Sequence, residues 1–308
     1  MEMKEEYFIN DCIHGSDLPC TVACPFSLDV KKFLDKVKLG SLNSAYTVYR
    51  DAVIFPGIVY KLCPAPCRNV CAGQMEGFPI KLLSLEKSAY NGARNHDPLN
   101  YAAPRQAKKV AVLGSDLIGM TFAMRLSQSG FEICVFSSDD RICVDLEAYL
   151  ERSEFEQEIL SQFKYSKYYS LKLSCDLSKK EYAGYDVIIN TINSFDTGCP
   201  DKSYELMTTG VPVYDIQTAK IFAREIDRLC RTGKVPDVSE IEPLRVQAAV
   251  INAHPEAYDS SDRDVILDKN QSKEEAARCK NCDCTKCLES CVLLRTSTTQ
   301  ASLSGLYT

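Results

Sequence analysis

Near the carboxyl end the chain reads Cys279-Lys-Asn-Cys282-Asp-Cys284-Thr-Lys-Cys287-Leu-Glu-Ser-Cys291. Four thiolates this close can wrap one small inorganic core, because short spacers bring sulfurs together without closing a long loop. Paired C-x2-C units also suit a tetrahedral zinc site, so spacing alone leaves both an iron–sulfur core and zinc standing. A second cysteine crowd lies near the amino end. Cys12, Cys20 and Cys24 are separated by eight and four residues, and Cys279, Cys287 and Cys291 repeat those separations, with Cys282 at the place Gly15 holds in front. Cys63, Cys67 and Cys71 follow at four-residue intervals. Pro25, Pro64 and Pro66 restrain these loops, and six cysteines so placed read as two cluster cradles rather than zinc knuckles.

Eleven of the sixteen cysteines fall in these two regions. The other five (Cys134, Cys143, Cys175, Cys199 and Cys230) stand singly and read as small buried hydrophobes or idle surface thiols. Such crowding points to metal ligation or redox chemistry in a reducing compartment. A net charge of −6 gives no electrostatic reason to expect nucleic acid or an anionic membrane surface. No apolar stretch approaches the roughly 20 residues that span a bilayer. The start, MEMKEEYFINDC, lacks the basic and apolar segments of a signal peptide, so the expected location is the cytoplasm. With only His14, His96 and His254, no nucleophile–base pair or acid–base couple stands out.

The elements that must hold these cysteines can be read from periodicity. Val30, Phe33, Leu34 and Val37 predict a helix capped by Ser27 and ended by Gly40. Ser41 opens a second, carrying Leu42, Ala45, Tyr46 and Tyr49, and a third covers Leu82 to Tyr90. After Pro104 the character changes. Val110 to Gly114 reads as a buried strand, Ile118 to Ser129 as a helix and Phe131 to Phe136 as the next strand, the β-α-β opening of a doubly wound sheet. Tyr185 to Asn190 and Val211 to Tyr214 are further expected strands, followed by a helix from Ile216 to Arg231. Residues 256–275 are polar and read as an extended connector. The expected fold class is α + α/β: a helical two-cluster iron–sulfur domain (1–104), a reduced Rossmann-like domain (105–255), and a linker with a Cys-rich cluster-binding tail (256–308).

Residues 12–90 resemble the amino-terminal iron–sulfur domain of the glutamate synthase small subunit, which also occurs in dihydropyrimidine dehydrogenase and in the large subunit of NADH-dependent ferredoxin:NADP oxidoreductase. The matching residues are Cys20-x3-Cys24-Pro25, Phe55-Pro56, Cys63-Pro-Ala-Pro-Cys67-x3-Cys71, and Pro79-Ile80 followed by Leu85-Glu86. Residues 108–136 resemble the flavin-binding segment that follows in that family, and residues 274–291 a Cys-rich extension found on some members. The resemblance implies one [4Fe-4S] cluster on Cys12, Cys20 and Cys71, and another on Cys24, Cys63 and Cys67 with Glu86 as a non-cysteine ligand. Cys279, Cys282, Cys287 and Cys291 would hold a third. The chain departs from the family at Gly15, where the fourth ligand of the first cluster belongs. That cluster could be three-iron, use His14 or an outside ligand, or be absent.

The flavin fingerprint is degraded. A working fold wants G-x-G-x-x-G so that phosphate can sit against bare backbone at a helix amino terminus. Here Gly114 and Gly119 flank Asp116 at the middle glycine position, where its side chain and charge oppose a pyrophosphate. Ser137 and Ser138 stand where the ribose-gripping acid belongs, with Asp139 and Asp140 too late. The stretch from Lys108 to Pro243 is also too short for a flavin domain with an inserted nicotinamide domain, at about 150 residues each. FAD is therefore not expected, nor NAD(P). The sequence reads as an electron-transfer subunit relaying electrons from a flavoprotein or ferredoxin-type donor to a catalytic subunit. The competing readings are an active FAD-dependent NAD(P)H:acceptor oxidoreductase and a redox-inert, zinc-binding or purely structural scaffold.

Overall fold

The computed structural model describes residues 18–71, 73–74, 77–100, 102–255, 264–279 and 282. It is a mixed fold in which a helical front packs beside a small parallel sheet. The front helices are α1 (Pro19–Ala23), α2 (Val30–Lys38), α3 (Leu42–Val53), α4 (Pro56–Leu62), α5 (Pro66–Asn69) and α6 (Leu82–Asn91). In α2 the periodic residues Val30, Phe33, Leu34 and Val37 are all buried. Its cap is Asp29, whose carboxylate accepts the Lys32 N–H at 2.9 Å. Ser27 does not cap it: that residue stands three before the first helical residue, at φ +50°, and turns the chain after Cys24. Proline opens α1, α4 and α5, where its fixed φ suits the first turn and its missing N–H costs no bond.

Five strands follow: β1 (Lys109–Leu113), β2 (Glu132–Phe136), β3 (Tyr169–Lys172), β4 (Val187–Asn190) and β5 (Ser203–Glu205). They pair in parallel in the order β3-β2-β1-β4-β5. Helix α7 (Leu117–Gln128) links β1 to β2, α8 (Arg152–Ser161) links β2 to β3, and α9 (Pro212–Thr232) returns after β5 against α7. Among the described residues the sheet is covered by helices on one face only. Val110, Val112, Ile133 and Val135 join the main core with α7, α8 and α9. The opposite face, including Ala111, Leu113, Cys134 and Ile188, is closed by Tyr182 and neighbouring loop residues. The link from β3 to β4 holds only two 3-10 turns, Leu177–Lys179 and Glu181–Gly184, where a doubly wound sheet would place a crossover helix.

Three other expectations are corrected. Val211 to Tyr214 is not a strand: Pro212 is the first residue of α9, and Val213 and Tyr214 are buried by its first turn. Residues 241–253, to which the sequence reading gave no element, form α10 (Ile241–Ala253), with Ile241, Leu244, Ala248 and Ile251 buried. The expected extended connector contains α11 (Lys269–Ala277), started by a capping box between Asp268 and Gln271; residues 256–263 of it lie outside the described residues. Among the described residues no helix is long and apolar enough to cross a membrane.

The sheet unit is joined to the front through one continuous core. Glu158 of α8 accepts the Gly57 N–H at 2.8 Å, and Lys220 of α9 donates to the Ala52 carbonyl at 2.9 Å. The second oxygen of Glu158 is buried with no hydrogen-bond partner among the described residues. Burial lifts this carboxyl from its usual 4.5 to about 7, against the pull of the Gly57 and Ile58 N–H groups and of Lys61. Between those values the folded chain holds a proton that the unfolded chain has released, so stability falls as pH rises through that window. Glu158→Gln is expected to remove on the order of 3 kcal/mol of this loss. Urea unfolding from about pH 5 to about pH 8 should therefore show a flatter profile for the variant than for the parent chain.

Candidate metal centre

Two groups of front cysteines are presented by the ends of short helices. Cys24 caps the carboxyl end of α1, Cys63 that of α4, and Cys67 lies within α5. Together with Glu86, buried on α6, they form an inner nest. Burial pushes the Cys24 thiol up to about 11, while backbone N–H groups of Leu28, Phe26 and Ser27 pull the other way. The Cys67 thiol is pushed well up by burial first, then by Cys63, Glu86, Cys24 and Cys20. The Ala65 N–H donates to the Cys63 sulfur at 3.4 Å. Beneath the nest lies Tyr49, fully buried, whose hydroxyl meets the Glu86 carboxylate and approaches the Pro56 carbonyl at 3.4 Å.

An outer group faces a cavity of about 530 Å3 lined by Cys20, Cys67, Cys71, Cys279 and Cys282. Its other walls are apolar (Val30, Leu34 and Ile80 among them), and Arg68 and Lys81 bring positive charge to it, while Arg278 is paired with Glu275 in the same wall. Cys20 is pushed up to about 11, first by burial and then by Cys282 and Cys279. The tail reaches this place because α11 packs on α2 and α6. Glu275 accepts the Lys81 N–H at 2.9 Å and pairs with Arg278 at 2.6 Å. Arg278 in turn donates to the Phe78 carbonyl, 200 residues earlier, at 2.8 Å, and Ser88 donates to the Leu267 carbonyl at 3.0 Å. The cue in the sequence was the resemblance of residues 274–291, which include Glu275 and Arg278, to a Cys-rich extension.

Cys20, Cys24, Cys63, Cys67, Cys71 and Glu86 of the expected front ligands are thus gathered at one end of the helical front, with Cys279 and Cys282 beside them. Cys12, His14, Gly15, Cys284, Cys287 and Cys291 lie outside the described residues. Among the described residues no three Cys, His, Asp or Glu side chains converge on a single ion. A cubane spreads its thiolates over a wider frame than four bonds of about 2.3 Å to one zinc. The donor set fits such a core: buried sulfurs and a carboxylate that raise one another's proton affinity are stabilised as anions by a cationic centre placed among them. Of the scattered thiols, Cys134 and Cys143 are buried, and Cys175, Cys199 and Cys230 are partly so.

The expected flavin residues take a different arrangement. Asp116 caps its own helix, accepting the Gly119 N–H at 3.0 Å and the Thr191 hydroxyl at 2.9 Å. The Leu117 N–H donates to both oxygens of Asp145 at 3.2 Å. The N–H groups that a phosphate would take at this terminus are therefore engaged by carboxylates of the chain itself. Gly114 is at φ +111°, and a Cβ there would lie 2.1 Å from the Thr191 hydroxyl oxygen. Beyond β2, the Ser137 hydroxyl accepts from Ser115 at 2.9 Å and donates to Asp139 at 3.2 Å.

Comparison with known proteins bears on the front of the chain. Residues 4–98 match the family model described as dihydropyrimidine dehydrogenase domain II, 4Fe-4S cluster. The chain is 25% identical over 122 residues to the NADPH-Fe(3+) oxidoreductase subunit beta of Geobacter sulfurreducens, covering 39% of this chain and 18% of that one. It is 28% identical over 125 residues to the glutamate synthase (NADPH) small chain of Mycobacterium tuberculosis, covering 40% and 26%. It is 22% identical over 143 residues to the NADP(+)-dependent formate dehydrogenase subunit beta of Moorella thermoacetica, covering 39% and 20%. The matches thus span about a fifth to a quarter of each of these relatives.

The clamp makes the tail's position testable. Glu275→Ala removes the acceptor of both the Lys81 N–H and Arg278, a loss of about 1–2 kcal/mol. In the metal-free chain, maleimide labelling of Cys279 and Cys282 is expected to quicken roughly 5- to 30-fold; an unchanged rate would show that the clamp does not hold the tail.

Proposed function

We propose that this chain is an iron–sulfur electron-transfer subunit of a multi-subunit cytoplasmic oxidoreductase, taking electrons from a flavoprotein or ferredoxin-type partner and passing them to a catalytic subunit. The observation that carries this reading is the nest of buried Cys63, Cys67 and Glu86 with half-buried Cys24, inside the segment similar to a 4Fe-4S domain. A [4Fe-4S] cluster, when bound, supplies one-electron chemistry without bond making or breaking in a substrate. The chain's own residues would do the rest. Cys24, Cys63 and Cys67 hold one core with Glu86, whose carboxylate is steadied by the Tyr49 hydroxyl. Cys20 and Cys71, with Cys12, hold a second, and Cys279, Cys282, Cys287 and Cys291 supply further thiolates. The N–H groups directed at Cys24 and Cys63 draw charge from sulfur and raise the potential of whatever they ligate. The apolar walls exclude water, and Arg68 and Lys81 offset the negative charge that thiolate-bound clusters bring.

In this reading the three segments 1–104, 105–255 and 256–308 have separate tasks: cluster housing, scaffold and cluster-binding tail. The sheet unit serves as scaffold because its helix terminus at Asp116 is capped by the chain's own carboxylates, and it persists because it shares a core with the front. The test is the anaerobic absorption spectrum of the reconstituted chain before and after dithionite. A broad brown band that bleaches, with no flavin double peak, is expected. A flavin spectrum would restore the flavoenzyme reading, and a colourless chain containing zinc would leave only the scaffold.

A further inference from the structure

The strands of the sheet all run the same way, so its two edges differ. Helix α7 reaches from one to the other, with Asp116 capping its amino end and Ser127 near its carboxyl end. The Asp116 edge is where parallel sheets of this kind bind nucleotides, and the chain's own carboxylates close it. At the opposite edge, where β2 and β3 begin, lies a cavity of about 560 Å3 between the segment that leads into β1, the end of α7 and the turn after α8. Arg105, Lys164 and Lys167 line it, and among the described residues no acid and no cysteine does, although the chain as a whole carries −6. Arg105 is paired with Glu132 and Lys164 with Asp97, both acids standing outside the lining. Lys167 has no ion pair among the described residues.

Two rings stand with these cations. The Arg105 guanidinium is 5.0 Å from the centre of the Tyr168 ring, and the Lys164 ammonium 5.4 Å from that of Tyr165, and both tyrosines are exposed. Deeper in, the lining is polar. Ser127 and Gln162 are each only 8% exposed, and the Ser127 hydroxyl has no hydrogen-bond partner among the described residues. A buried hydroxyl left unpaired is a standing cost that a ligand's polar atom would remove. The wall is held in place. Gln106 ties it to the end of α7 through its N–H to the Gly130 carbonyl at 2.9 Å and its side-chain amide to the Ser129 carbonyl at 3.3 Å. Gly130, at φ +90°, permits the close approach: a Cβ there would lie 2.1 Å from the Pro104 oxygen.

We propose that this cavity binds a small organic anion bearing a planar ring, of about mononucleotide size. Its anionic group meets Lys167 with Arg105 and Lys164 at hand, its ring lies against Tyr165 or Tyr168, and its polar edge reaches Ser127 and Gln162. The volume lies within the range of about 300–1,000 Å3 usual for small-molecule sites, and a buried polar lining suits such a ligand better than the face of a protein. A nucleotide phosphate and an aromatic carboxylate share this chemistry. The site is independent of the iron–sulfur reading.

The test is equilibrium dialysis of the full chain against AMP, 2-naphthoate, inorganic phosphate and an oligoglutamate peptide. Saturable binding of AMP or 2-naphthoate is expected, the tighter of the two naming the source of the anion, with inorganic phosphate bound more weakly than either. Lys167→Gln and Tyr168→Leu should each weaken that ligand roughly tenfold. Ser127→Ala should weaken it too without lowering the urea midpoint, which separates a binding role from a structural one. Lys234→Gln, an exposed lysine away from the cavity, should change nothing. Should Tyr168→Leu fail to fold, Lys167→Gln decides alone. The proposal is overturned if neither aromatic anion binds saturably, if Lys167→Gln leaves their binding intact, or if inorganic phosphate binds as tightly as they do. Preferential binding of the peptide would likewise overturn it and assign the cavity to an acidic protein segment.

Discussion

Thiols and a carboxylate packed away from water around one another must either keep their protons or share a cation. Cys63, Cys67 and Glu86 are in that position with half-buried Cys24 beside them, and each neighbour adds to the rise at Cys67. Much of the surrounding structure serves to keep them there regardless. Prolines fix the entries of α1, α4 and α5, so the cysteine-bearing loops have few alternative conformations. Tyr49 fills the floor. The front core of α2, α3 and α6 supplies the burial that sets the rim. Under the iron–sulfur proposal a cationic core bound there would offset this cost, coupling the folding of the front to its loading.

The sheet unit shows the complementary case of a binding site closed by its own side chains. A parallel sheet in this strand order normally offers a helix amino terminus to phosphate. Here Asp116 and Asp145 satisfy that terminus at the cost of desolvation, with Asp116 lifted to about 7 by burial and by Asp145. The missing crossover helix leaves one sheet face covered by loops and a tyrosine. What the unit keeps is its helix-covered face, fused to the front through Glu158 and Lys220. Through that face the strands share one core with the helical front.

How much of this could be read from the residues depended on whether the signal was local. The spacing of Val30, Phe33, Leu34 and Val37 and the apolar run of β1 are local, and both were legible. The four-residue cysteine spacings were local too, and the structure brings Cys63, Cys67 and Cys24 close to Glu86. Val211 to Tyr214 misled because apolar residues around a proline suit a buried strand and a first helical turn alike; packing against α7 decided it. Helix α10 carries a period at Ile241, Leu244, Ala248 and Ile251, but Pro243 inside its first turn masks that signal in the sequence. The short edge strands β3 and β5 have little apolar content and exist only because β2 and β4 offer them partners. Least legible was the return of α11 to the front. Only Ser272 and Ala276 of that helix are buried, too thin a stripe to announce a docking face.

That return also sets an order of events. The cavity beside Cys20 has Cys279 and Cys282 in its wall, so a nascent chain still on the ribosome and short of those residues presents the site open on one side. Front helices, rich in near-neighbour contacts, can form early, whereas the last wall must wait for a closure across most of the polypeptide. Any metallochaperone that delivers to this cavity before synthesis ends meets an incomplete vessel, and a prematurely terminated chain remains one. Completion of translation is thereby written into the geometry of the site.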